Sequence, residues 1–117
     1  GIHGEFRKAM AAPAKLPEFK GNITAVFTEN YWDRQLSELV DRRGRINAKR
    51  RELAEDQSLT REQRDKAIAD FTDELFTKEE LKILEAGTSN AAYHYLGSAK
   101  ILGQIGEAFA DALAKLD

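Results

Sequence analysis

Trp32, Leu39, Ile46 and Leu53 stand seven residues apart, with Leu36 and Val40 beside the first turns. Apolar side chains that recur every two turns line one stripe of an α-helix, and this stripe predicts a helix of about 23 residues, roughly 35 Å long. Its fourth-position partners Arg43 and Arg50 break the seam. The spacing therefore predicts a helical hairpin packed on one face, and not an uninterrupted coiled coil. Gly44, near the middle, costs roughly 1 kcal/mol of helix propensity and marks a candidate kink.

Two further helices announce themselves by their first turns. Thr60-Arg61-Glu62-Gln63 and Thr77-Lys78-Glu79-Glu80 have the form of capping boxes, in which a hydroxyl takes one orphan amide and the third side chain reaches back to another. The first box opens a helix with Ala67, Ile68, Phe71 and Leu75 on one side. The second opens a shorter helix through Leu81 and Leu84, which Gly87 is placed to end in the left-handed conformation. Arg42, Arg43, Arg45, Lys49, Arg50 and Arg51 form a local basic cluster, but Glu52, Glu55 and Asp56 follow at once. That pattern reads as a solvated helix face and not as a phosphate-binding surface. Charged residues make up 32% of the chain yet nearly cancel, leaving a net charge of -2. No global field favours nucleic acid or an anionic membrane, and neither is expected as a partner.

Before the hairpin, a short helix from about Glu5 to Ala12 is stopped by Pro13 and again by Pro17, which lack the amide a helix interior needs. Gly21-Asn22 is a turn signal. Ile23-Thr24-Ala25-Val26-Phe27-Thr28 then reads as the chain's one strand, over 22–28. A lone strand cannot satisfy its own amides and carbonyls, so it must pair either with a second copy or with strands outside this sequence. After the hairpin, Ile101, Leu102, Ile105, Phe109, Ala112, Leu113 and Leu116 recur at period 3.6 and predict a closing helix. Gly97, Gly103 and Gly106 thin it enough for another backbone to approach.

The reading is thus a mainly α chain with one short β-strand: strand 22–28, a charged helical arm over 31–86, and a histidine loop with its closing helix over 89–117. With 117 residues it makes one domain, 1–117, or the C-terminal part of a larger one. There is no cysteine, hence no disulfide framework and no thiolate zinc site. No apolar run reaches 18 residues, and the start has no signal-peptide pattern.

His94 is the residue best suited to chemistry, since an imidazole takes and returns a proton near neutrality. Taken by itself, a lone histidine between Tyr93 and Tyr95 is more often a structural side chain than a catalytic one. Ser37, Ser58, Ser89 and Ser98 are the only serines, and none lies in a glycine-flanked turn after a strand, the setting that exposes an attacking hydroxyl. His3 beside Glu5 offers too few ligands for a metal, and no metal or cofactor is expected.

The spelling Tyr93-His94-Tyr95-Leu96-Gly97, followed by the helix carrying Gly103 and Gly106, resembles the C-terminal segment of the sialate O-acetylesterase-like carbohydrate esterases, a branch of the SGNH/GDSL-type hydrolases. Gly1 to Met10 and Leu16 to Asn22 are similar to a second region of the same proteins. The resemblance implies that the chain is the C-terminal part of a three-layer α/β fold, with 22–28 as the last strand of its parallel sheet. It implies His94 as the catalytic base, acetyl esters on sialic acid or other sugars as substrates, and a secreted or periplasmic setting. Ala91 departs from the acid-x-x-His spacing of related esterases, so the orienting carboxylate must come from elsewhere. Joined to a nucleophile-bearing part, the chain would act on acetylated carbohydrate; alone it should be inactive. The alternative is a non-catalytic helical protein-interaction module. Self-association through strand 22–28 or the C-terminal helix fits either reading.

Overall fold

The computed structural model describes residues 1–116. Among them every regular element is a helix: α1 (Ile2–Ala11), α2 (Arg34–Glu55), α3 (Arg61–Leu75), α4 (Lys78–Gly87) and α5 (Ala99–Ala114), joined by short 3-10 turns. The chain divides into two compact units, 33–98 and the combination of 1–32 with the residues from 99 onward.

The unit 33–98 is a three-helix arrangement built as the apolar spacing requires. Asp33 caps α2 by accepting the Leu36 amide at 2.9 Å, and the helix runs through Gly44 without a break. Leu39 and Ile46 from its stripe meet Phe76 and Leu84, and Val40, Ile68, Phe71, Leu75, Leu81 and Ile83 pack around them. Removing such side chains from water supplies about 1.5–3 kcal/mol each. Both capping boxes form: Gln63 and Glu80 return the amide hydrogen bonds of Thr60 and Thr77 at 2.8 and 2.9 Å. The helices α3 and α4 are separated only by Phe76 and Thr77, and Arg42 of α2 clamps that joint. Its guanidinium donates to the Leu75 carbonyl at 3.1 Å and to Glu80 at 2.9 Å, with the Phe76 ring centroid 5.3 Å away. Arg43 likewise donates to the Thr88 hydroxyl. Two members of the basic cluster thus serve the fold. Gly87 is the last residue of α4, as expected, but does not adopt the left-handed conformation; its lack of a side chain serves packing.

In the other unit, α1 buries none of its residues and ends where Pro13 opens a 3-10 turn. A second turn, Pro17–Phe19, is closed by the amides of Asn22 and Ile23 on the Phe19 carbonyl, with Gly21 at φ 82°. Arg7 pairs with Glu29, joining α1 to the 3-10 turn Thr28–Tyr31, and that turn packs against α5.

The strand predicted over 22–28 is not formed, and with no sheet among the described residues the chain is not a three-layer α/β structure. The cause is pairing, not propensity. Ile23 to Phe27 lacks helical structure, as β-branched residues favour, but no neighbouring strand is present to accept its hydrogen bonds. The closing helix also departs from expectation. Ile101 and Ile105 are buried, whereas Leu102, Phe109 and Leu113, predicted for the same apolar face, are exposed.

Candidate functional site

His94 lies in the loop that leads from α4 towards α5, and the backbone of that loop is unusual. Three consecutive residues, Tyr95 (φ 52°), Leu96 (φ 59°) and Gly97 (φ 60°), are left-handed, and His94 itself sits in the sparsely populated bridge region at φ -110°, ψ 33°. A left-handed conformation at a residue with a Cβ costs on the order of 1–3 kcal/mol, and Tyr95 and Leu96 each bear it. Such strain persists only where surrounding contacts over-determine it.

Those contacts are local and dense. The amides of Ser89 and Asn90 both donate to the Leu96 carbonyl, at 2.9 and 3.0 Å, while the Leu96 and His94 amides both donate to the Ala91 carbonyl at 3.0 Å. The Ser89 hydroxyl donates to the Gly97 carbonyl at 2.9 Å, and the Asn90 side chain accepts the Ala91 amide. Leu96 anchors the knot with 1% of its surface exposed. Gly97 is obligatory on two counts: its φ is positive, and a Cβ there would stand 2.2 Å from the Ser89 hydroxyl oxygen and 2.7 Å from the Asn90 nitrogen.

The His94 ring is carried outward from this rigid base. It is exposed, its centroid 4.3 Å from that of Tyr93 with the planes tilted at 54°, and Tyr93 is itself 79% exposed. Edge-tilted contact of this kind restrains an aromatic ring without enclosing it. Among the described residues no carboxylate hydrogen-bonds the imidazole. Ala91, at the position of the acid in the acid-x-x-His spacing, contributes only its carbonyl and amide.

The serines are not assembled around it. Ser37 lies within α2, the Ser58 hydroxyl donates to Asp56 in a turn, the Ser89 hydroxyl is committed to Gly97, and Ser98 is buried. His3 lies on exposed α1, and among the described residues no three metal-binding side chains converge. The site is therefore one accessible base on a strained mount. The left-handed pair Tyr95-Leu96 gave no sign in the sequence beyond the neighbouring Gly97, because bulky residues argue against that conformation. A second feature was also missed. Ile2, Phe6 and Met10, four residues apart on α1, form an exposed apolar stripe that their spacing could have revealed.

Comparison with known proteins gives no match to this chain among family models, curated proteins or solved structures.

Proposed function

We propose that this chain supplies the general base for hydrolysis of acetyl esters on sialic acid or other sugars, acting with a nucleophile carried by polypeptide outside this sequence. The observation that carries the reading is an exposed imidazole on a backbone held in three successive left-handed residues, since strain of that kind concentrates where a side chain must be aimed. The likeness of Tyr93 to Gly97 to the sialate O-acetylesterase-like enzymes supplies the substrate class. The chemistry follows from the imidazole. His94 takes the proton of a serine hydroxyl as its oxygen bonds to the acetyl carbonyl carbon. When the tetrahedral adduct collapses, the ester C–O bond breaks and the imidazolium returns the proton to the sugar oxygen. Water, deprotonated by the same nitrogen, then releases acetate and restores the serine. Contact with Tyr93 restrains the ring where no carboxylate does.

The test is acetyl release from O-acetylated sialic acid and from p-nitrophenyl acetate by the protein expressed from its complete open reading frame. His94→Ala should lower kcat by about 10²–10⁴-fold with helicity unchanged. Equal rates, or no hydrolysis by the wild type, overturn the proposal. A helical interaction module is the second reading, and the exposed stripe Ile2, Phe6 and Met10 favours it.

A further inference from the structure

The segment Ile23 to Phe27 carries backbone groups that nothing among the described residues uses. The Ile23 amide donates to Phe19 and the Phe27 carbonyl accepts from Asn30, but between them the amides and carbonyls of Thr24, Ala25 and Val26 have no intramolecular hydrogen bond among the described residues. Thr24 and Ala25 are exposed, as are Ile23 and Phe27. Three successive unpaired residues in a β-favouring sequence are a template for strand addition.

We infer that this segment pairs with the same segment of a second copy, antiparallel, about a two-fold axis at Ala25. The side chains are self-complementary in that arrangement. Ile23 falls opposite Phe27, Thr24 opposite Val26, and Ala25 opposite itself, each an uncharged pair of the kind that stabilises adjacent strands. Natural edge strands are protected by lysine, proline or an inward charge; 22–28 contains none. The flanking charges select the direction. Lys20 precedes the segment and Glu29, which already pairs with Arg7, follows it, so antiparallel pairing brings each lysine towards the partner's Arg7–Glu29 pair, while parallel pairing would set lysine beside lysine. A two-stranded ribbon is marginal alone and needs backing. Here grooves of about 350 and 430 Å³ beside the segment are lined by Arg7, Met10 and Ala11 of α1 and by Ala108, Asp111 and Ala112 of α5, apolar surface with charge at its border. The dimer is independent of the role given to His94.

The test is light scattering behind size exclusion over a concentration series of the chain. The wild type should move from 13.1 kDa towards twice that mass as concentration rises. Ala25→Lys and Ala25→Glu, at an exposed position with no hydrogen bond to lose, should each raise the half-dimer concentration by roughly fivefold or more, because like charges then meet on the axis. An equimolar mixture of the two variants should restore association. Circular dichroism of each variant should match the wild type. A wild type that stays monomeric to millimolar concentration overturns the inference. So does a dimer that Ala25→Lys leaves intact, which would place the contact on the apolar stripes of α1 or α5.

Discussion

Gly87 on α4 and Leu36 on α2 touch so closely that a Cβ at position 87 would lie 2.8 Å from Leu36 Cδ1. The absent side chain lets α4 lie close to α2 at this point. Leu36 is 4% exposed, so a Cβ at position 87 must displace the tip of a buried side chain. Gly87→Ala should therefore destabilise the 33–98 unit by about 1 kcal/mol, the overpacking cost of about 1–3 kcal/mol outweighing the helix propensity gained. Gly44 supplies the control, since it lies within α2 and a Cβ there meets nothing within 4 Å. Gly44→Ala should stabilise by about 0.5–1 kcal/mol. Urea midpoints followed by far-ultraviolet circular dichroism should move in opposite directions for the two variants.

Gly97→Ala forces a side chain against backbone as well as against a hydroxyl, and the φ of +60° adds strain of its own. The loop must open, releasing the Ser89 and Asn90 amides from the Leu96 carbonyl. Amide hydrogen exchange at Ser89 and Asn90 should accelerate at least about tenfold, corresponding to a loss of about 1.4 kcal/mol in local stability. The helices α2 and α3 should keep their protection. Unchanged exchange at 89 and 90 would show that the loop tolerates a Cβ.

The two units were legible in the sequence to different degrees, and the reason is range. The capping boxes at Thr60 and Thr77 are four-residue chemistry, so their spelling was enough to place the starts of α3 and α4. The α2 stripe was legible because Leu39 and Ile46 find their partners in the next two helices. The segment 22–28 was not, since its residues bias only the backbone of that segment, while a strand exists only with a neighbour, and none is present among the described residues. The helix α4 ends at Gly87, as the residue type suggests, but without the left-handed conformation, and the contact of Gly87 with Leu36 is tertiary and so invisible in local chemistry. At the candidate site, His94 stood out by residue type, but the exposure of its ring and the left-handed path of Tyr95 and Leu96 come from the hydrogen bonds that knot 89–97.

Acid should weaken the α3–α4 joint in a defined direction. The backbone amide of Thr77, then the guanidinium of Arg42, holds the Glu80 carboxyl below the ordinary glutamate range. A carboxylate with a depressed value in the folded chain contributes stability that is fully present above its unfolded pKa, about 4 to 5. That contribution is lost as pH falls through the lower folded value. Asp56, held down by the Ser58 hydroxyl and amide, has the same sign. Stability should thus be flat from pH 7 to about 5 and decline below it. Glu80→Gln, which keeps an acceptor for the Thr77 amide, should make the decline shallower in a urea series at stepped pH. An identical slope in the variant would remove Glu80 from the acid response.

The contrast between Leu39 and Leu113 separates what the chain needs for its own fold from what it displays. Leu39 is 2% exposed at the centre of the α2–α4 core, so truncation removes transfer energy and leaves a cavity. Leu39→Ala should cost about 2–5 kcal/mol. Leu113 is 63% exposed on α5, in line with Leu102 and Phe109, and has little burial to forfeit. Leu113→Ser should change stability by no more than about 0.5 kcal/mol. An apolar residue displayed at so little benefit to the fold should raise self-adhesion, so Leu113→Ser should also increase the salt concentration at which the protein precipitates. A large stability loss from Leu113→Ser would mean that this face is covered within the chain in solution, and the exposed stripe of α5 would then no longer count as displayed surface.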